Sequence, residues 1–206
     1  MKRLPSGEWM YLLIYVDDMI IVCKDAEQIT ILEKKLQREF DISILGNVSQ
    51  FLGIKVSKDN DGFYRLSQKT FIREIANRFG LDGAKKSNVP LDAGYFKQTD
   101  GDVLPDNKQF HSLVGALLYV ATNTRPDIAA AISILSRKTS TPTQHDWTEL
   151  KRVVRYLIST EDYELKLGVQ QTGDMILVGY SDAIGPAIDR TENQRVVLCF
   201  SSAELL

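Results

Sequence analysis

The stretch from Tyr11 to Cys23, YLLIYVDDMIIVC, limits what this chain can fold into more than any other. Two apolar, β-prone arms flank an Asp-Asp pair, a pattern that predicts a hairpin with both carboxylates at or beside its turn. In the first arm Leu12, Ile14 and Val16 share one face, and Tyr11, Leu13, Tyr15 and Asp17 share the other. The expectation is that the aliphatic face is buried while Tyr15 and Asp17 look into a cleft. Neighbouring carboxylates repel one another unless a cation sits between them. Oxygen donors of this kind suit Mg²⁺, which takes one or two carboxylates together with substrate phosphates. An Asp-rich turn between ordinary strands is the plainer alternative.

At 206 residues, 44% of them hydrophobic, the chain can bury roughly 70% of its unfolded surface, enough for one domain and part of another, or two small ones. No apolar run reaches membrane-spanning length, and the first residues lack a signal-peptide pattern. A soluble, intracellular chain is expected, cytoplasmic or nuclear. Cys23 and Cys199 have no metal-ligand spacing around them and argue for neither a disulfide framework nor a zinc site. The net charge of −2 confines any nucleic-acid contact to local basic faces.

Asp25, with Gln28 three residues on, is placed to cap a helix whose apolar positions are Ile29, Leu32, Leu36 and Phe40. Lys34, Lys35 and Arg38 then form a solvated face. Period-two alternation at Leu52, Ile54 and Val56, the turn Asn60-Asp61-Gly62, and Tyr64 and Leu66 predict a second hairpin. Ser67 is placed to cap a helix carrying Phe71, Ile72, Ile75 and Phe79, with Gly80 ending it. Residues 81–108 read as a long connection, extended at Val89-Pro90-Leu91, and Asp100-Gly101-Asp102 within it as a solvated acidic loop.

Three helices are expected to follow. Phe110, Leu113, Val114, Leu117, Leu118 and Ala121 line the first, and Ile128, Ala131, Ile132 and Leu135 the second, which Pro126 opens. A capping box from Thr141 to Gln144 opens the third, with Trp147, Leu150, Val154 and Leu157 inward. Lys151, Arg152 and Arg155 lie beside that stripe, either as a nucleic-acid-binding face or as plain solvated surface. His111 and His145 lack an acid-base partner in the sequence and read as packing or capping residues. Near the end, Leu165, Leu167 and Val169 alternate, Met175 to Tyr180 form a strand delivering Asp182, and Arg195 to Phe200 form another.

Tyr15-Val16-Asp17-Asp18 resembles the metal-binding motif of reverse transcriptases. Leu45-Gly46, Phe51-Leu52-Gly53-Ile54, Leu66-Ser67-Gln68, Leu113-Val114-Gly115, Thr124-Arg125-Pro126-Asp127-Ile128, Lys151 to Leu157 and Gly179-Tyr180-Ser181-Asp182-Ala183 follow in order. Together they resemble the Pol polyprotein of copia-type long-terminal-repeat retrotransposons, over nearly the whole chain but fraying after Ala183. The resemblance implies an α+β fold in three parts. Residues 1–80 would be a partial palm with the YVDD hairpin, 81–160 a helical thumb and connection, and 161–206 the opening strands of a ribonuclease-H-like sheet.

In function, the resemblance implies a fragment of an RNA-directed DNA polymerase using two-metal nucleotidyl transfer. Asp17 and Asp18 would hold Mg²⁺ (or Mn²⁺), and Tyr15 would position an RNA template and DNA primer that meet deoxynucleotide triphosphates. Phe51-Leu52-Gly53 would support the primer end, while Lys151, Arg152 and Arg155 would lie along the duplex. Asp182 would match the first ribonuclease H carboxylate, although Ile184-Gly185-Pro186-Ala187 departs from the usual Asp-Trp-Ala-Gly. The family also needs a further palm carboxylate and a nucleotide-binding fingers segment, expected before Met1. The isolated chain is therefore expected to be inactive. Two other readings are a non-catalytic nucleic-acid-binding relic or adopted fragment, and a metal-dependent nuclease built on Asp182.

Overall fold

The computed structural model describes residues 1–97 and 101–168, with two short antiparallel strands beyond them, Val178–Tyr180 and Cys199–Ser201. The described part is mixed α+β, with small antiparallel sheets and five α-helices. Asp100 and Asp182 lie outside the described residues.

The first sheet runs β1 (Lys2–Arg3), β2 (Trp9–Tyr15), β3 (Asp18–Val22). Tyr15 pairs with Asp18 and Tyr11 with Val22, so the apolar arms do form the expected hairpin, around a two-residue turn. The expected buried aliphatic face is not found. Leu13, Ile14 and Val16 are 54%, 59% and 82% exposed, and in this region only Leu4 and Met10 are buried. Residues of both faces are exposed toward the turn among the described residues.

Helix α1 (Ala26–Glu39) begins at Asp25, whose carboxylate accepts hydrogen bonds from the Glu27 and Gln28 backbone N–H groups. That satisfies two of the orphan donors at the helix start. None of its residues is fully buried. Its Ile31 and Leu32 border a groove of about 280 Å³ against Leu4, Met10 and Leu12. Phe40, expected on the helical stripe, is instead an exposed C-cap with extended backbone.

Four strands make the second sheet: β4 (Gln50–Phe51), β5 (Ile54–Lys58), β6 (Tyr64–Ser67) and β7 (Leu165–Leu167). The predicted β5–β6 hairpin is present. Leu52, read as part of its strand, is not. Leu52 and Gly53 both have positive φ, 49° and 75°, and form a two-residue turn closed by the Phe51–Ile54 pair. Positive φ at both central residues is the signature of a type I′ turn, whose twist matches that of the strands. A leucine at its first position hides the turn from sequence reasoning, since Asn, Asp or Gly is the usual signal there.

The helices build the closed core. Helix α2 (Lys69–Arg78) ends as expected at Gly80, where φ is 64° and Leu81 N–H returns to Ala76 O in a Schellman turn. Its start differs: Gln68 holds the cap position without a side-chain bond, and Ser67 Oγ accepts from Lys69 N–H at 3.4 Å. Ile72, Ile75 and Ala76 pack with α3 (Lys108–Asn123), α4 (Ala129–Ser136) and α5 (Gln144–Ser159) in one apolar cluster that also takes Leu81 and Tyr95. Phe110, Leu113, Val114, Leu117 and Ala121 lie inward as predicted, whereas Leu118 is exposed. Pro126 opens a 3₁₀ turn, Pro126–Ile128, before α4 rather than α4 itself. The capping box of α5 is Thr143 with Asp146, two residues past the expected pair, and both of its reciprocal bonds are made. Helix α2 thus shares its core with the helices of residues 108–159, and β7 closes the sheet begun by β4.

Candidate functional site

The candidate site grows from the turn of the first hairpin. With Tyr15 paired to Asp18, the turn residues are Val16 and Asp17. Val16 has φ 50°, a left-handed conformation that costs a β-branched residue of order 1–3 kcal/mol and is held only where the flanking strands enforce it. Asp17 therefore sits at the tip, and Asp18 is the first residue of β3, directly across from Tyr15. The carboxylate sharing a face with Tyr15 is Asp18, not Asp17 as alternation along a continued strand implied, because the turn resets the period. Both carboxylates and Tyr15 are exposed. Among the described residues neither Asp is in an ion pair, and no third His, Cys, Asp or Glu completes a metal-binding cluster.

A second turn is held by a helix. Tyr119 on α3 donates its hydroxyl proton to Leu52 O, and Phe71 packs edge-on against its ring at 5.5 Å. Burial pushes the Tyr119 phenol upward, and the neighbouring Tyr15 hydroxyl adds to the shift. The Leu52–Gly53 turn is thereby tied to α3 through Tyr119. Sequence reasoning missed Tyr119, since a tyrosine within a helical stripe carries no signal of a distant partner.

The basic trio on α5 is half-buried. Arg152 Nε lies 3.0 Å from both oxygens of buried Glu149, and its terminal nitrogen is 3.3 Å from Asp92. Glu149 also accepts from Asp92 N–H, so Arg152 helps clamp the long connection onto α5. Lys151 Nζ lies 5.4 Å from the Trp147 ring centroid, a cation–π contact. Arg155 Nε is buried without a hydrogen-bond partner among the described residues. Within the trio, Arg152 is ion-paired, while Lys151 and Arg155 are outside ion pairs among the described residues. His145 stacks on Tyr95 at 5.3 Å, and His111 is exposed on α3.

Two polar networks lie behind these surfaces. Arg125, 2% exposed, makes a two-bond fork to Asp127 and donates to the Thr160 carbonyl and hydroxyl. Tyr156 and Tyr163 flank its guanidinium at 5.6 and 5.2 Å. Desolvation works against the Asp127 charge, but the Arg125 and Tyr156 hydrogen bonds together hold its carboxyl below the usual range. In the other network Tyr95 donates to Asp146 at 2.7 Å, and burial with that contact drives the Tyr95 phenol strongly upward. Proline after Arg125, with Asp127 two positions on, was visible in the sequence. Its burial was not.

Comparison with known proteins bears on the hairpin half first. Residues 2–93 match the family described as reverse transcriptase (RNA-dependent DNA polymerase). The chain is similar to the reverse transcriptase segment of copia-type Pol polyproteins. The chain is 35% identical over 192 residues to the retrovirus-related Pol polyprotein from transposon TNT 1-94 of Nicotiana tabacum, covering 88% of this chain and 14% of that protein. It is 34% identical over 176 residues to the Pol polyprotein from transposon RE2 of Arabidopsis thaliana, covering 84% and 12%. An uncharacterized mitochondrial protein of Arabidopsis thaliana is 36% identical over 151 residues, 73% of this chain and 62% of that one. The chain thus spans about one seventh of the Tnt1 polyprotein's length (14%) and 62% of the mitochondrial protein's. No solved structure matches. No described helix is long and apolar enough to cross a membrane.

Proposed function

We propose that this chain carries the metal-holding hairpin of an RNA-directed DNA polymerase, in which a primer 3′ oxygen attacks a deoxynucleotide triphosphate on an RNA template. The observation that supports it is the Asp17–Asp18 pair at a two-residue turn, inside the residues that match the reverse transcriptase family. The exposed oxygen donors fit Mg²⁺ or Mn²⁺ in kind. When bound, the ions would polarise the phosphoryl oxygens and lower the pKa of the attacking hydroxyl. Asp17, at the tip, is the better placed to reach both ions, and Asp18 is ancillary. Tyr15, across from Asp18, presents a ring against which the primer terminus packs.

The rest of this reading is organisational. The first hairpin and its neighbours act as part of a palm, and α3 to α5 act as thumb and connection. Residues 161–206 are read as the opening of a ribonuclease-H-like segment whose first strand, β7, joins the sheet of β4 to β6. With Asp17 and Asp18 joined at the turn by no third metal-ligating side chain among the described residues, the isolated chain is a half-site. It does not extend primers, and a lone Asp182 does not support hydrolysis of an RNA–DNA hybrid, which needs carboxylates bracketing two ions.

The test is complementation. Fusing a palm-and-fingers segment from a related polymerase in frame before this chain restores Mg²⁺-dependent extension of a primed RNA template, and Asp17→Asn abolishes it. Extension by the isolated chain, lost on Asp17→Asn, overturns the half-site. A well-folded but inactive fusion favours the binding-relic reading instead.

A further inference from the structure

Residues 87–95 lie along α5 as a strap, tied to it at both ends and in the middle. Ser159 donates its hydroxyl to Ser87 O, Asp92 N–H donates to Glu149 at 2.9 Å, and Tyr95 donates to Asp146. The turn in this strap is built around Asp92. Its Oδ1 accepts from Gly94 N–H at 2.7 Å and its carbonyl accepts from Tyr95 N–H, a side-chain-to-backbone closure that Asp and Asn favour. The other carboxylate oxygen, Oδ2, lies 3.3 Å from a terminal nitrogen of Arg152.

Arg152 meets its two carboxylates in different ways. Its Nε lies 3.0 Å from both oxygens of Glu149, whose side chain is 3% exposed, so this end of the guanidinium is fixed in the interior. The contact with Asp92 is single and longer, and its partners are 27% and 47% exposed. Water screens an ion pair of that kind and leaves it weak. Arg152 is thus anchored through one nitrogen, beside Lys151 and one turn before Arg155. Its outer edge suits bidentate contact with a phosphate, and an aspartate oxygen occupies it instead.

We propose that Asp92 is a built-in competitor of phosphate for Arg152, which holds the chain's grip on a nucleic-acid backbone below what its basic face can supply. The proposal rests on the reading that Lys151 and Arg155 on that face meet phosphates. A carboxylate and a phosphate carry like charge, so one excludes the other from the same guanidinium edge. Releasing the Asp92 oxygen breaks nothing else. Glu149 keeps both Arg152 Nε and the Asp92 N–H, and Tyr95 stays on Asp146, so the strap remains in place while Arg152 gains a free edge.

Fluorescence anisotropy of the full chain with a labelled, DNA-primed RNA duplex over a salt series tests it. Asp92→Asn keeps the bond from Gly94 and removes the charge. It is expected to steepen the slope of log K against log[salt] by about 0.9, one added phosphate contact, so that its advantage over the parent chain grows about 3.5-fold for each fourfold drop in salt. Asp92→Ser, whose hydroxyl closes the same turn, gives the same gain. Arg152→Gln leaves the parent slope unchanged and removes the gain from the Asp92→Asn chain. A gain that persists without Arg152 reduces Asp92 to general repulsion and overturns the proposal. So does a slope unmoved by Asp92→Asn where replacing Lys151 and Arg155 by Gln does flatten it. A slope indifferent to Lys151 and Arg155 as well overturns the underlying reading, and the proposal with it.

Discussion

The hairpin with α1 and the bundle of α2 to α5 are built from similar apolar content but end in opposite states. In the bundle every stripe finds a partner: Leu113, Leu117, Ile132, Leu150 and Leu157 are fully buried. In the hairpin Leu13, Ile14 and Val16 face solvent, and α1 buries no residue completely. Helices satisfy their own backbone and need only side-chain cover, whereas a sheet this small leaves edges and faces that its own residues cannot close. The bundle therefore closes its own core, whereas the hairpin presents its carboxylates on a surface that the described residues leave open.

Paired substitutions break this comparison most sharply. Leu117→Ala in the bundle is expected to cost about 3–5 kcal/mol in denaturant unfolding, from lost transfer energy plus a cavity. Ile14→Ala in the hairpin should stay within about 0.5 kcal/mol. Equal losses would show that the hairpin is covered in solution.

Next in size is Arg125→Ala, expected to cost about 2–3 kcal/mol. It strands the Asp127 carboxylate and the Thr160 acceptors, and the one-third exposure of Asp127 keeps the loss below that of a fully buried pair. Arg125→Lys should recover little, since a point ammonium cannot make the planar fork. Full recovery by lysine would reduce the network to simple charge pairing.

Relief of backbone strain sharpens the comparison from the other side. Val16→Gly and Leu52→Gly replace non-glycine residues at positive φ and should each stabilise their turn by up to about 1 kcal/mol. For Val16 the gain should appear in hydrogen exchange of the β2–β3 amides, and for Leu52 in global unfolding, because that turn is tied to α3 through Tyr119.

A pH-dependent effect follows. Hydrogen bonds from Arg73, with Lys69 adding to them, pull the Glu161 carboxyl from its ordinary 4.5 to about 2. The folded value is depressed, so this contact stabilises the α2–α5 junction above pH 4.5, and its contribution is lost as pH falls toward 2. Glu161→Gln should flatten the stability profile across that window and leave hairpin exchange unchanged.

The smallest expected effect is on nucleic-acid binding. Arg152 is held by Glu149 and Asp92, so replacing Lys151 and Arg155 by Gln should flatten the slope of log K against log[salt] by about 1.8, from roughly 0.9 per phosphate contact. A change near 2.7 on replacing all three would mean that Arg152 leaves its partners for the phosphate backbone.

Local pattern by itself determined a good deal. Tyr11 to Cys23 had to be a hairpin, because period two on both sides of a polar pair admits little else. Gly80 had to end α2, and the stripes Phe110–Ala121 and Ile128–Leu135 had to turn inward, because spacing of three and four marks a helix face. Each depends on residues within a turn or two of one another. Tertiary structure decided the rest. The Leu52–Gly53 turn was hidden because strand pairing, not residue preference, holds Leu52 at positive φ. The α5 cap moved from Thr141 to Thr143 because two threonines offered similar hydroxyls, and Asp146 could reach back to only one. Arg125 became a buried fork because Thr160, far along the chain, supplies its remaining acceptors. Alternation named the two faces of the hairpin, but burial depends on what packs against a face, and for this hairpin that partner is not encoded in its own strands.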